Sequence, residues 1–158
     1  MSNSGYDAAG VEYDKKGVEI SQKSYPGSKF YHFGVDDDPA LVLKAEGQAF
    51  DAVVSTEVIE HLFAPHSLPK FARKILEKDG YLIVSTPYHG YFKNLPLSLF
   101  NKWNKYHTAL WHGGHVKFWS RKTLTQLLQQ NEFKVMAFHG VGRLPWLWKS
   151  RILVARAI

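Results

Sequence analysis

An α/β fold with a mostly parallel sheet follows from three features of the sequence. Residues 52–54 and 82–84 are short apolar runs of the kind found in strands covered on both faces. Between them Leu68, Phe71, Ala72, Ile75 and Leu76 recur at helical spacing, and Asp79-Gly80 breaks the helix. Strand, helix and strand in that order make one right-handed crossover, the unit from which parallel sheets are built.

The first of these strands, residues 50–55, runs into FDAVVSTEVIEHL, the part of the chain richest in chemistry. Asp51 opens the strand and Ser55-Thr56 mark its carboxyl end, where open α/β sheets bind their ligands. Glu57, Glu60 and His61 follow at once. If that segment is helical, positions i, i+3 and i+4 share one face, and two carboxylates and an imidazole converge on one cation. Such an oxygen-rich set with one nitrogen suits Mg²⁺ or Mn²⁺, with Zn²⁺ a further option. The same residues are compatible with a metal-free site in which His61 is a general base or touches substrate, and with a structural role.

The second strand, residues 81–85, ends at Thr86-Pro87. Residues 88–119 then form a long connection in which Tyr88, Tyr91, Phe92, Phe100, Trp103, Tyr106, Trp111, Phe118 and Trp119 alternate with lysines 93, 102, 105 and 117 and with His89, His107, His112 and His115. Its length exceeds that of an ordinary loop, so a helix of its own is expected around residues 97–105, covering the site like a lid. Three roles fit it. Leu95, Leu97, Leu99, Phe100 and Trp103 can pack on the sheet while the lysines face water; the segment can cover an apolar substrate; or it can lean on an anionic membrane, where Trp, Tyr and Lys are favoured. His32 on a strand, His66 in the turn before a helix and His139 on a late strand read as locally satisfied.

The 158 residues suffice for one domain, 1–158, with a sizeable core, at 45% hydrophobic and 22% charged. The absence of cysteine excludes a disulfide framework and thiol chemistry. No stretch reaches the ~20 apolar residues that span a bilayer, and the first residues carry no signal pattern, so a cytoplasmic location is expected. The net charge of +6 would suit an anionic partner. Scattered lysines more often mean a solvated surface, so nucleic acid is not favoured.

FDAVVSTEVIEHL followed by LEKDGYLIVSTP resembles the fourth and fifth strands of class I S-adenosylmethionine-dependent methyltransferases, particularly those related to the ubiquinone-biosynthesis O-methyltransferases. Upstream, residues 5–30 are similar to the family's second strand, its acidic end and the next helix. Downstream, residues 115–143 resemble the last helix and final hairpin, closed by RILVARAI. The resemblance implies a Rossmann-like three-layer sandwich, mostly parallel with an antiparallel final strand. The first strand and glycine-rich loop are missing from it, so a fragment of a longer product is expected; the other expectation is a chain that has lost half of its cofactor cradle. Without that strand, the strands near residues 8–12 and 50–55 are expected to pair directly, or with a strand from another chain.

What the resemblance implies for function is methyl transfer from S-adenosylmethionine to an oxygen of a small or lipid-like acceptor. RNA methylation, or a catalytically inactive module that binds a partner, are the alternatives. Glu12 would accept the ribose hydroxyls and Tyr13 contact the adenine. Asp36, near the end of a third strand at residues 30–34, would accept the adenine amino group, against the reading of a solvated turn. Ser55, Thr56 and Glu57 would close the middle of the cofactor site. Glu60 and His61 are the catalytic candidates. Ubiquinone O-methyltransferases and small-RNA terminal 2′-O-methyltransferases carry a similar Glu-x-x-Glu-His segment that binds a divalent ion, and the RNA enzymes add a histidine matching His115. Glu57, Glu60, His61 and His115 are therefore the implied metal set. A peripheral membrane contact and a homo-oligomer are compatible with the resemblance.

Overall fold

The computed structural model describes residues 5–104, 110 and 113–158. It divides into two compact units, one ending at Gly47 and the other starting at Gln48.

The first unit carries β1 (Ala9–Glu12), α1 (Lys15–Ser24), β2 (Lys29–His32) and α2 (Ala40–Glu46). β1 and β2 pair in parallel with Gly10 opposite Phe30. A Cβ at residue 10 would lie 2.5 Å from the Phe30 ring, so only glycine admits this packing. α1 starts where the Asp14 carboxylate accepts the N–H groups of Lys16 and Gly17, satisfying two donors that the first turn leaves open. α2 ends at Gly47 with φ 75°, and Glu46 ties it to β2 by accepting from Lys29 Nζ at 2.8 Å and Tyr31 Oη at 2.6 Å. Those two donors, Lys29 foremost, hold the Glu46 carboxyl below its ordinary range. β2 closes at His32, short of the expected Gly34, because the Phe33 N–H turns back to the Tyr31 carbonyl.

The second unit holds β3 (Phe50–Thr56), α3 (Ser67–Ile75), β4 (Leu76–Pro87), α4 (Tyr91–Leu99), α5 (Arg121–Gln129), β5 (Phe133–Val141) and β6 (Ser150–Ala157). Its sheet has the order β3-β4-β6-β5. β3 and β4 are parallel, with Val54 opposite Ile83, and β6 runs antiparallel to both neighbours. The expected parallel crossover and antiparallel final strand are both present. Leu82, Val84, Leu153, Ala155 and Phe133 supply the sheet's side of the core, and Ala72, Leu124 and Leu128 the helices' side; all are buried. α5 is started by a capping box between Ser120 and Thr123.

Five expectations are corrected. The helix does not include Leu76, which turns extended (φ −77°, ψ 144°) and pairs with Phe50; Asp79, with φ 64°, and Gly80 then shape an irregularity within β4. A helix of the long connection spans Tyr91–Leu99, starting ahead of the expected 97–105, since Gly90 starts it and its last turn closes on Phe100; Trp103 and Asn104 are helical again. Of the five side chains expected to pack there, only Leu97 is buried, while Leu99 and Phe100 are 71% and 70% exposed. Finally, β1 pairs with β2 alone and β3 with β4 alone, so the direct pairing of the strands near residues 8–12 and 50–55 does not form among the described residues. As an edge strand β3 leaves Val54 42% exposed, unlike the strand covered on both faces that its apolar run predicts. Lys105, Tyr106, His107, Trp111 and His112 lie outside the described residues.

Candidate functional site

The parallel pair β3/β4 delivers the polar residues to one place. Glu57 follows β3 in the left-handed region, φ 53°. Hydrogen bonds hold it there: its N–H donates to the Ser85 carbonyl at 3.2 Å, and its Oε1 accepts from the Ser85 and Ser150 hydroxyls, each at 2.8 Å. A left-handed residue stops a helix from starting, so residues 58–61 form turns. The shared helical face expected for Glu57, Glu60 and His61 is absent. Glu57 accordingly leaves the metal set and is bound to the ends of β4 and β6 instead.

Glu60, His61 and His115 do come together. Their ligand atoms all lie within 4.8 Å of one another. The Glu60 carbonyl accepts the N–H groups of Val116 and Lys117 at 2.9 and 3.0 Å, and Trp119 Nε1 donates to the Ile59 carbonyl at 3.4 Å, which docks the HVKFW stretch on residues 59–61. His61 Nδ1 donates to the Gly114 carbonyl at 3.2 Å. A carbonyl can only accept, so in the neutral ring it is Nε2, 4.0 Å from Glu60 Oε1, that carries the lone pair. The His115 ring stands edge-on, 4.9 Å between centroids.

Glu60 is fully buried; Oε2 accepts from Thr86 Oγ1 at 3.1 Å, whereas Oε1 has no hydrogen bond. Burial, above all, raises its pKa; its own backbone N–H opposes this, the nearby Glu57 charge adds to it, and Thr86 and a charged His61 also oppose it. The folded chain thus holds this proton more tightly than the unfolded one. The associated stability is complete below the ordinary value of 4.5 and is lost as pH rises through the elevated folded value. In metal-free buffer, Glu60→Gln is expected to flatten the fall of melting temperature between acid and neutral pH and to leave the variant the more stable at pH 8. Melts across pH 4.5–8 check it; parallel curves would contradict it.

In the first unit, Glu12 and Asp36 are exposed and Tyr13 is 78% exposed. Glu12 Oε1 accepts the Asp14 N–H at 2.9 Å, and the Tyr13 ring edges onto Gly34, 3.1 Å from where a Cβ would stand. Asp37 and Asp38 accept from the N–H groups of Gly34 and Ala40 and shape the turn; Asp36 beside them is exposed. In the second unit Ser55 is buried and Thr56 exposed. His32 bonds the Tyr13 carbonyl through Nε2, and His66 Nδ1 meets Asn131 Nδ2 at 2.9 Å, so both are satisfied locally as expected. Sequence reasoning missed Ser85, Thr86 and Ser150, which hold Glu57 and Glu60; the only signal was their position at strand ends.

Residues 1–137 match the model of a family described as a methyltransferase domain. No curated protein matches the sequence. Among solved structures the chain is similar to magnesium protoporphyrin IX methyltransferase from Synechocystis PCC 6803 with bound S-adenosylhomocysteine (TM-score 0.63, 17% identity, 99% of this chain and 66% of that one). It is also similar to an S-adenosylmethionine-dependent methyltransferase from Methanosarcina mazei (0.69, 12%, 99% and 84%). A third is 1,6-didemethyltoxoflavin-N1-methyltransferase from Burkholderia thailandensis with 1,6-didemethyltoxoflavin and S-adenosylhomocysteine bound (0.67, 14%, 99% and 63%). At these identities the likeness is one of fold, and the chain spans about two thirds of the first of these structures.

Proposed function

We propose, because this chain belongs to the methyltransferase domain family, that it takes part in methyl transfer from S-adenosylmethionine to an oxygen of a small or lipid-like acceptor. The observation that carries the reading is the position of Ser55-Thr56-Glu57 at the carboxyl end of a parallel strand pair, with His61 four residues beyond Glu57. When bound, the cofactor supplies a methyl group already activated as a sulfonium. The chain's task is then to hold the partners and accept a proton. Glu12 fits the ribose: it is exposed, and only Oε1 is engaged among the described residues. His61 fits the base, since the Gly114 carbonyl fixes its tautomer and leaves Nε2 to take the acceptor's proton.

A metal-assisted variant is favoured by one observation, the buried and unsatisfied Glu60 Oε1 beside two imidazoles. With Glu57 elsewhere the donors are one carboxylate and two nitrogens, which suits Mn²⁺ or Zn²⁺ better than the oxygen-seeking Mg²⁺. A cation there would lower the pKa of an acceptor hydroxyl.

Titration calorimetry with S-adenosylhomocysteine tests the cofactor. Losing hydrogen bonds from the ribose to a charged carboxylate, each worth about 1.5–3 kcal/mol, should make Glu12→Ala at least ~10-fold weaker than wild type. Equal affinities would contradict the assignment of Glu12, and no binding by either protein would leave only the inactive binding module.

A further inference from the structure

We propose that the second unit carries a receptor for an anionic group on the methyl acceptor, with Lys93 as the contact and Arg151 behind it. This deepens the methyl-transfer reading by naming the substrate class: a molecule with an aromatic or apolar body and a carboxylate or phosphate.

The starting observation is a charge without a partner. Arg151 is 3% exposed, its Nε is buried without a hydrogen bond, and its guanidinium lies 4.8 Å over the Tyr88 ring. All 14 carboxylates of the sequence fall within the described residues, and none forms an ion pair with Arg151, Lys93 or Arg143. A buried cation without a counter-charge is costly, so its retention points to an anion that arrives from outside. The ring beneath it offsets only part of that cost.

Lys93 is placed to meet such an anion. It is half-buried in α4, spends one donor on the Tyr88 carbonyl at 2.8 Å and keeps two. Burial above all, and then the charges of Arg143 and Arg151, make it easier to deprotonate. The one carboxylate that acts on it is Glu57, whose Oε1 is already shared by two serine hydroxyls. An anion binding here would relieve the repulsion among three cations.

A run of aromatic rings continues from Tyr88. Trp148 lies 5.1 Å from Tyr88 and 5.9 Å from both Phe138 and Trp146. Gly140 gives Trp148 its place, since a Cβ there would come within 2.0 Å of the indole. The cations also adjoin the candidate chemistry. Arg151 is the register partner of Thr86, whose hydroxyl is donated to Glu60. An acceptor anchored by its anion would therefore have its body among the aromatic rings, next to the Glu60/His61 site.

Calorimetric titration with inorganic phosphate and with phenyl phosphate, at constant ionic strength set by sodium chloride, tests the receptor. Both should saturate, with phenyl phosphate at least ~10-fold tighter through the aromatic contacts. Lys93→Met should weaken both at least ~10-fold, with Lys93→Gln as the second variant should the first fail to fold, while Lys134→Met on the exposed side of β5 should change neither. Non-saturating binding, or Lys93 variants that bind as wild type does, would overturn the proposal. S-adenosylhomocysteine is titrated on the same preparation. Cofactor binding without phosphate binding sinks the receptor alone; phosphate binding that depends on Lys93, without cofactor binding, supports the receptor and sinks the methyl-transfer reading.

Discussion

Leu153→Ala is expected to cost about 2–5 kcal/mol of stability, the usual range when a fully buried leucine is truncated in a core that cannot collapse. Leu153 is fully buried in β6, between β4 and β5, opposite Val84 on one side and Phe138 on the other. Its loss opens a cavity in a core where Leu82, Val84 and Ala155 are also fully buried. Leu99→Ala provides the contrast. That side chain is 71% exposed at the end of α4, and its removal should change stability by no more than about 0.5 kcal/mol. Urea melts of both variants decide the matter; similar midpoints would mean that the core is not where the burial pattern puts it.

Manganese should raise the melting temperature of the wild-type chain if Glu60, His61 and His115 hold a cation. Free Mn²⁺ at about 100 times Kd adds about 2.7 kcal/mol by mass action, or roughly 5–10 °C for a chain of this size. Glu60→Gln and His61→Ala should each abolish the shift. His66→Ala should keep it while lowering the metal-free melting temperature, because His66 is bonded to the buried Asn131 and lies outside the cluster. The sign of the pH effect follows from Glu60. A cation must displace the proton that burial helps Glu60 retain, so the shift grows as pH rises through the elevated value. A wild-type protein indifferent to Mn²⁺ at pH 8 would leave His61 as a metal-free base.

Much of this was legible from local pattern. The run at residues 82–84, the helical spacing of Leu68, Phe71, Ala72 and Ile75, and the position of Ser55-Thr56 each depend on neighbours close in sequence, and each is found as read. His115 beside His61 was reached only through family resemblance, because the contact spans dozens of residues and rests on backbone bonds to Glu60 that no periodicity announces. Glu57 was misplaced for a related reason. Its spacing to Glu60 and His61 is that of a helix, but hydrogen bonds from Ser85 and Ser150, on strands far along the chain, hold it left-handed. The start of α4 was read too late, because Pro96 sits inside the helix and several large apolar residues stay exposed, contrary to the usual burial rule. Arg151 gave no signal at all, since an arginine in RILVARAI reads as an ordinary strand residue until its burial is seen.

The central claim is that this chain binds the methyl donor through the residues assigned to it. Amide chemical-shift mapping during titration with S-adenosylhomocysteine tests it most directly. Shifts at Glu12, Tyr13 and Asp36 that saturate, and that Glu12→Ala weakens, are the predicted result. Shifts that never saturate, or that fall only on the β5–β6 hairpin around Trp146 and Trp148, would contradict it.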